Sequence, residues 1–214
     1  MFKAVIFDMD GVLIDSEIVY ITNIHRYFSA TYPQLTLEDL YPSVGMNATE
    51  DKPFFASLLG RDPTDPAFLE ELHQAYVSAN IYYPDILRPQ VPGLLKSLKD
   101  KGLQVALASS SSPQNIDRVL TQCNIKGCFD HIISGYQFKR SKPDPEIYLY
   151  TMAQLGRKPE ECLIVEDSTY GIEAGAVAGV AVAALRDDRF PFDQSKAKYH
   201  IDTLDEILAL VEKA

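Results

Sequence analysis

Five short apolar runs alternate along this chain with helix-length amphipathic segments, and that alternation restricts the possible folds more than any other feature. The first run, Phe2 to Phe7, is apolar and β-branched and ends at an Asp/Gly turn, the pattern of a strand buried on both faces. Later runs are Val105 to Ala108, His131 to Ser134, Leu163 to Val165 and Val180 to Ala183. Between and after them, Leu94 to Lys101, Pro113 to Cys123, Pro145 to Leu155, Gly171 to Ala178 and Leu204 to Lys213 have helical patterning. Two of these open on proline, which suits a first helical turn. Strand alternating with helix predicts an α/β fold built on a parallel, doubly wound sheet.

One stretch breaks the alternation. From about Ser16 to about Arg88 the pattern is helical, in Ile18 to Ala30, Thr36 to Leu40, Glu50 to Leu59 and Ala67 to Asn80, with Pro, Gly and Asp between them. The expected organisation is a helical domain of residues 16–88 inserted into a core of residues 1–15 and 89–214. Such an insertion leaves the sheet just after the first strand and returns near Tyr83 and Pro84. Ligands of open α/β sheets bind outside the carboxyl ends of the strands, so a domain hung there reads as a cap over the site.

Composition narrows the function classes. With 46% hydrophobic and 23% charged residues and no low-complexity tract, the 214-residue chain is expected to fold. A net charge of -10 provides no basic footprint for a phosphate backbone, so nucleic acid is not an expected partner. Cys123, Cys128 and Cys162 are odd in number and lack CxxC spacing, and they read as reduced core thiols. No stretch approaches the roughly 20 apolar residues of a membrane helix, and the start lacks a charged segment followed by an apolar one. The expectation is a cytoplasmic enzyme without a membrane partner, a monomer or weak homo-oligomer.

Polar groups suited to one chemistry stand where the predicted strands end: Asp8 and Asp10, Ser109, Lys142 before a helix, and Glu166 with Asp167. Each has an ordinary reading: a solvated turn for Asp8-Met9-Asp10, helix caps for the serines and for Glu166-Asp167-Ser168, a solvated loop lysine for Lys142. Their joint occurrence is what phosphoryl transfer demands, namely an in-line nucleophile, a cation for the phosphate oxygens, donors to hold them and an acid for the leaving group. Asp8 could attack as a carboxylate and form an acyl phosphate. Asp10 could protonate the departing alcohol and then deprotonate water. Ser109 and Ser110, with the backbone N–H groups that follow, and Lys142, stiffened by Pro143 and Pro145, could hold the phosphate. Magnesium takes oxygen ligands and keeps several waters, so Asp8, Asp167 and the main-chain carbonyl of Asp10 could supply a site, with Glu166 adding to it.

In order, Asp8-Met9-Asp10-Gly11-Val12, the strand ending in Ser109, Lys142-Pro143-Asp144-Pro145 and Glu166-Asp167-Ser168-Thr169-Tyr170-Gly171-Ile172 resemble the four motifs of the haloacid dehalogenase superfamily. The resemblance spans essentially the whole chain and points to the helical-cap subgroup of β-phosphoglucomutase-like enzymes and sugar-phosphate phosphatases. It implies a Rossmann-like core with the first strand central, Asp8 as nucleophile, Asp10 as acid and base, Ser109 and Lys142 as phosphate binders, and Mg2+ on Asp8, Asp10 and Asp167. Dehalogenases of the superfamily lack the second aspartate, so Asp10 argues against dehalogenation. Mutases of the β-phosphoglucomutase kind carry a cap arginine that grips a second phosphate, and Val44-Gly45-Met46-Asn47-Ala48-Thr49-Glu50 contains none. Their cap-linker histidine corresponds to Tyr20, and His25 lies five residues on.

The expected function is therefore magnesium-dependent hydrolysis of a small phosphorylated metabolite, with sugar phosphates favoured. The alternatives are a phosphosugar mutase and, more remotely, a phospho-accepting signalling module, whose phosphorylated aspartate would follow the third strand rather than the first. Asn23, Asn47, Thr49, Tyr76 and Tyr83 are candidates to reach the leaving group.

Overall fold

The computed structural model describes residues 1–46, 50–77 and 80–213. The chain runs through β1 (Ala4–Phe7), α1 (Glu17–Ser29), α2 (Asp51–Leu59), α3 (Pro66–Val77), α4 (Val91–Asp100), β2 (Gln104–Ser109) and α5 (Pro113–Gln122). It continues through β3 (His131–Ser134), α6 (Glu146–Leu155), β4 (Cys162–Glu166), α7 (Thr169–Val177), β5 (Ala181–Leu185), β6 (Tyr199–Ile201) and α8 (Glu206–Lys213). The strands form one parallel sheet in the order β3-β2-β1-β4-β5-β6, the doubly wound order expected of a strand and helix alternation.

All four side chains of β1 are buried, because β1 pairs with β2 on one side and β4 on the other. Phe7 stands opposite Leu107 and Val165, so the residue after it emerges between the ends of two neighbouring strands. The chain winds outward from β1 in both directions, which makes this gap the switch point of the sheet. Helices cover the faces through apolar stripes such as Val91, Leu94, Leu95 and Leu98 of α4, spaced to lie along one side.

Three details differ from the sequence expectations. β6 was not anticipated: Tyr-His-Ile is short and polar at its centre, and only pairing with β5 makes it a strand. The segment predicted helical over Thr36 to Leu40 is a 3-10 helix, Glu38–Ser43. Thr36 donates its N–H and hydroxyl to Asp39 Oδ2 and receives the Asp39 N–H in return, and Pro42 within the turn removes an N–H. Of the predicted Ala67 to Asn80 helix, Pro66–Val77 is helical and Asn80 is not, while residues 78 and 79 lie outside the described residues.

The described chain forms two compact units. One comprises Met1–Asp15, Tyr82–Asp187 and Phe192–Ala214; the other comprises Ser16–Ile81 with Asp188–Pro191. Tyr82 to Arg88 group with the sheet because Asp15 N–H donates to Ile86 O, Arg88 N–H donates to Leu13 O, and Ile14 bridges Leu87. Within the helical unit, the Asn23 amide of α1 donates to Ala75 O of α3, and a ring nitrogen of His25 lies 3.0 Å from Leu35 O. Phe190 meets the ring of Tyr41 edge-on at 5.6 Å. Among the described residues no helix is long and apolar enough to cross a membrane.

Gly175 of α7 shows how tightly the layers meet, since a Cβ there would lie 2.6 Å from Val182 Cγ2 and 3.1 Å from Ile164 Cδ1. Helix propensity alone would make Gly175→Ala stabilising by about 1 kcal/mol. Overpacking against a stiff β-branched neighbour outweighs it, and the variant is expected to lose about 1–3 kcal/mol in urea unfolding.

Candidate active site

Asp8 takes its position from the sheet. Its N–H donates to Val165 O at 3.0 Å, one step past the last residue of β1, and the residue is 7% exposed. The chain then folds back at once: Leu13 and Ile14 both donate to Met9 O, and Gly11 N–H donates to Ile14 O. Gly11 has φ +76°, and a Cβ on it would lie 2.0 Å from Asp167 Oδ2, so the turn requires glycine for its backbone and for its closeness to the second acidic strand end. Arg88 holds the same turn by donating from Nε and Nη2 to Gly11 O.

Lys142 is the centre of the charged cluster. Its buried ammonium donates to Asp8 Oδ1 at 2.5 Å, Glu166 Oε1 at 2.7 Å and Ala108 O at 3.1 Å, and lies 5.0 Å from the centroid of the Tyr148 ring. Those are three acceptors for three N–H donors, which is how a buried cation is tolerated. Glu166 is held from both sides. Oε1 also accepts from Tyr148 Oη at 2.9 Å, and Oε2 accepts from Asp167 N–H, Ser168 N–H and Ser168 Oγ at 3.0–3.2 Å. Ser168 then caps α7 by accepting from Gly171 N–H. A Cβ on Gly171 would fall 1.7 Å from Glu166 Oε1, so this carboxylate occupies the space that the glycine leaves.

Ligand atoms of Asp8, Glu166 and Asp167 lie within 4.8 Å of one another, a buried set of oxygen donors suited to a hard divalent cation. Among the described residues the Asp10 carboxylate is not in that group; its Oδ2 accepts from Ser111 Oγ at 2.8 Å. Ser109 ends β2, buried, with its Oγ accepting from Ser111 N–H, whereas Ser110 is exposed at the head of the following loop.

A family model described as haloacid dehalogenase-like hydrolase matches residues 2–179. The chain belongs to this family. It is 33% identical over 181 residues to the phosphorylated carbohydrates phosphatase of Thermotoga maritima, covering 83% of this chain and 82% of that protein. It is 31% identical over 188 residues to the phosphoglycolate phosphatase of Aquifex aeolicus, covering 85% and 83%. Among solved structures, a Thermotoga maritima protein provisionally described as a β-phosphoglucomutase superposes with TM-score 0.76 at 29% identity, covering all of both chains.

In this haloacid dehalogenase-like hydrolase, burial pushes the Asp8 carboxyl up to about 7, against the lowering influence of Lys142 and with further upward pressure from Glu166 and Asp10. Burial opposes the charge on Lys142, but Asp8 and Glu166 outweigh it and hold the ammonium well above its ordinary range. Glu166 is likewise penalised by burial, and Lys142 and its donors bring it below the usual carboxylate range. Lys142 therefore stands between two buried carboxyl groups, at 2.5 Å from Asp8 and 2.7 Å from Glu166; burial raises Asp8, while the ammonium and its other donors lower Glu166.

Two partners of these residues carry no sequence signal. Tyr148 occupies an ordinary apolar position of α6, fully buried. Gln194, in the loop between β5 and β6, donates from Nε2 to Asp167 O at 2.8 Å and to Leu185 O at 2.9 Å, fixing the backbone beside the acidic strand end. Of the expected leaving-group contacts, Asn23 bonds to Ala75 O, Tyr76 donates to Asp51 Oδ2 at 3.3 Å within the helical unit, and Tyr83 lies buried in the sheet unit; Asn47 and Thr49 lie outside the described residues.

Removing Lys142 leaves two buried carboxyl groups facing each other. Lys142→Ala is expected to cost about 3–5 kcal/mol in chemical denaturation, the penalty of breaking a buried pair from one side. An unchanged midpoint would show that the ammonium does not hold these groups together.

Proposed function

We propose that the chain is a magnesium-dependent phosphatase of small phosphorylated metabolites, sugar phosphates foremost, acting through a phospho-aspartyl intermediate on Asp8. The observation that carries this reading is the buried contact of Asp8 with Lys142 at the carboxyl end of β1, within reach of the Asp167 carboxylate. The four named motifs and the relatives named for phosphorylated carbohydrates and phosphoglycolate support the same reading.

Asp8 attacks phosphorus, forming the Asp8 O–P bond as the bond from phosphorus to the leaving alkoxide breaks, and Asp10 gives that oxygen its proton. Asp10 then takes a proton from water as the water oxygen attacks the acyl phosphate, which releases inorganic phosphate and restores Asp8. Lys142, Ser109 and the backbone N–H groups around Ser110 hold the transferring phosphate. Oxygen-only donors fit Mg2+, and Asp8, Asp167 and the Asp10 main-chain carbonyl would hold it, where it supplies charge neutralisation for the phosphate oxygens. We assign Glu166 the task of positioning Lys142, since both of its oxygens already accept hydrogen bonds.

The helical unit, interrupting the sheet unit after β1, is the proposed cap and the source of substrate selection, with a boundary near Ile81. The reducing cytoplasm suits the three free thiols and is the proposed compartment, with the enzyme working as a monomer or weak homo-oligomer. The likeness to the β-phosphoglucomutase structure favours a phosphosugar mutase as the second reading. The stretch Val44 to Glu50 has no arginine to grip a second phosphate, which favours hydrolysis.

A panel of phosphorylated sugars, glycolate and nucleotides assayed for phosphate release with Mg2+ tests the assignment. Asp8→Asn is expected to lower turnover by at least about 10³-fold while remaining folded, and EDTA to silence the wild type until Mg2+ is restored. Full activity in EDTA would overturn the metal-dependent reading. Conversion of a hexose 1-phosphate into its 6-phosphate, dependent on a sugar bisphosphate and without phosphate release, would establish the mutase.

A further inference from the structure

Asp10 is linked through three hydrogen bonds to a residue far from the reacting atoms. Ser111 Oγ donates to Asp10 Oδ2 at 2.8 Å, Asn115 Nδ2 donates to Ser111 Oγ at 3.3 Å, and Tyr83 Oη donates to Asn115 Oδ1 at 2.7 Å. The direction of the chain follows from the donor inventory. Asp10 Oδ2 accepts the serine proton, which leaves Oδ1 as the oxygen that can carry the proton of an acid; the serine oxygen in turn accepts from the amide nitrogen of Asn115. The amide oxygen is thereby turned to Tyr83, whose one proton completes the series.

Every joint is fixed separately. Tyr83 is 3% exposed, its N–H donates to Gln122 Oε1 at 3.3 Å, and the Arg118 guanidinium lies 5.5 Å from its ring centroid, so α5 holds it by backbone, ring and hydroxyl. Asn115 stands in the first turn of α5, and its N–H donates to the cap residue Ser112. The Ser111 backbone is held from both sides, its N–H by Ser109 Oγ and its carbonyl by Ser134 Oγ at 2.7 Å. A carboxylate anchored through one oxygen turns as a unit, so fixing Oδ2 fixes where Oδ1 lies. Alignment of this kind matters to an acid, because proton transfer needs heavy-atom separations of about 2.6–3.2 Å in the reacting complex.

We propose that Tyr83, Asn115 and Ser111 are positioning residues for the general acid, a relay that orients the Asp10 carboxyl toward the leaving-group oxygen. The inference rests on the reading of Asp10 as the acid. Aligned donors polarise one another, so loss of the far hydroxyl weakens the hold at the near end. The signature lies in the leaving group. A departing alkoxide is strongly basic and needs the proton, whereas p-nitrophenolate leaves without one. For both substrates kcat/KM reports the steps through formation of the phospho-aspartyl enzyme, which keeps the later water step out of the comparison.

The experiment measures kcat/KM for an alkyl phosphate, such as glycerol 1-phosphate, and for p-nitrophenyl phosphate with Mg2+, in wild type, Tyr83→Phe, Ser111→Ala, Ser111→Thr and Asp10→Asn. Expected for Tyr83→Phe is a fall of about 3- to 10-fold on the alkyl ester, and for Ser111→Ala of about 10- to 100-fold, both within about twofold of wild type on the aryl ester. Ser111→Thr, which keeps the hydroxyl, restores the alkyl rate. If Tyr83→Phe leaves the alkyl to aryl ratio unchanged while Asp10→Asn lowers it, the relay is overturned and Asp10 stands as the acid. Equal losses on both esters would also overturn it, marking a structural or phosphate-binding role. Full alkyl activity in Asp10→Asn would remove Asp10 as the acid, and the relay with it.

Discussion

The ammonium of Lys142 fastens together three strand ends that are distant in sequence: Asp8 after β1, Ala108 near the end of β2 and Glu166 at the end of β4. A cation withdrawn from water is tolerated only if its protons all find acceptors and its charge is balanced, and both conditions hold here. The consequences spread outward. Glu166 must be kept ionised and oriented, which brings in Tyr148, the backbone after β4 and the Ser168 cap of α7. Gly171 must lack a side chain because Glu166 fills that space, and Gly11 must lack one because Asp167 lies against it.

This arrangement divides labour between carboxylates that a list of acidic residues would treat alike. Glu166 accepts five hydrogen bonds, so its charge is spent within the protein. Asp8 has one tight contact with Lys142, and burial raises its carboxyl against that contact. Asp10 Oδ2 accepts from Ser111 Oγ, and among the described residues its carboxylate is not grouped with the trio of Asp8, Glu166 and Asp167. On the proposed reading, nucleophile, lysine holder and acid are separated by environment alone.

Much of this was legible in the sequence because it is local. Apolar runs ended by Asp, Ser or Glu mark buried parallel strands whose carboxyl ends carry the site, and the spacing from Asp8 to Asp10 and from Glu166 to Gly171 is set by a single turn of backbone. The runs around β1 to β5 were long and apolar enough to be read; β6 was not, since three residues with histidine at the centre become a strand only by pairing with β5. The 3-10 helix at Glu38–Ser43 carried its reasons in sequence, Thr36 with Asp39 and Pro42, but the apolar pattern outweighed them. The partner of the Tyr83 hydroxyl, Asn115, lies 32 residues away and has no local signature.

The sequence by itself determined the fold class, the strand ends that carry polar groups and the identity of those groups, because a continuous apolar run, a turn glycine and a helix cap are written within a few neighbouring residues. Tertiary structure alone decided what each group pairs with. Which carboxylates Lys142 pairs with, which of them Tyr148 also holds and which one is tied through Ser111 to Tyr83 depend, apart from the one-turn step from Asn115 to Ser111, on contacts between residues 18 to 134 positions apart. Burial strengthens these contacts, and no local pattern encodes them.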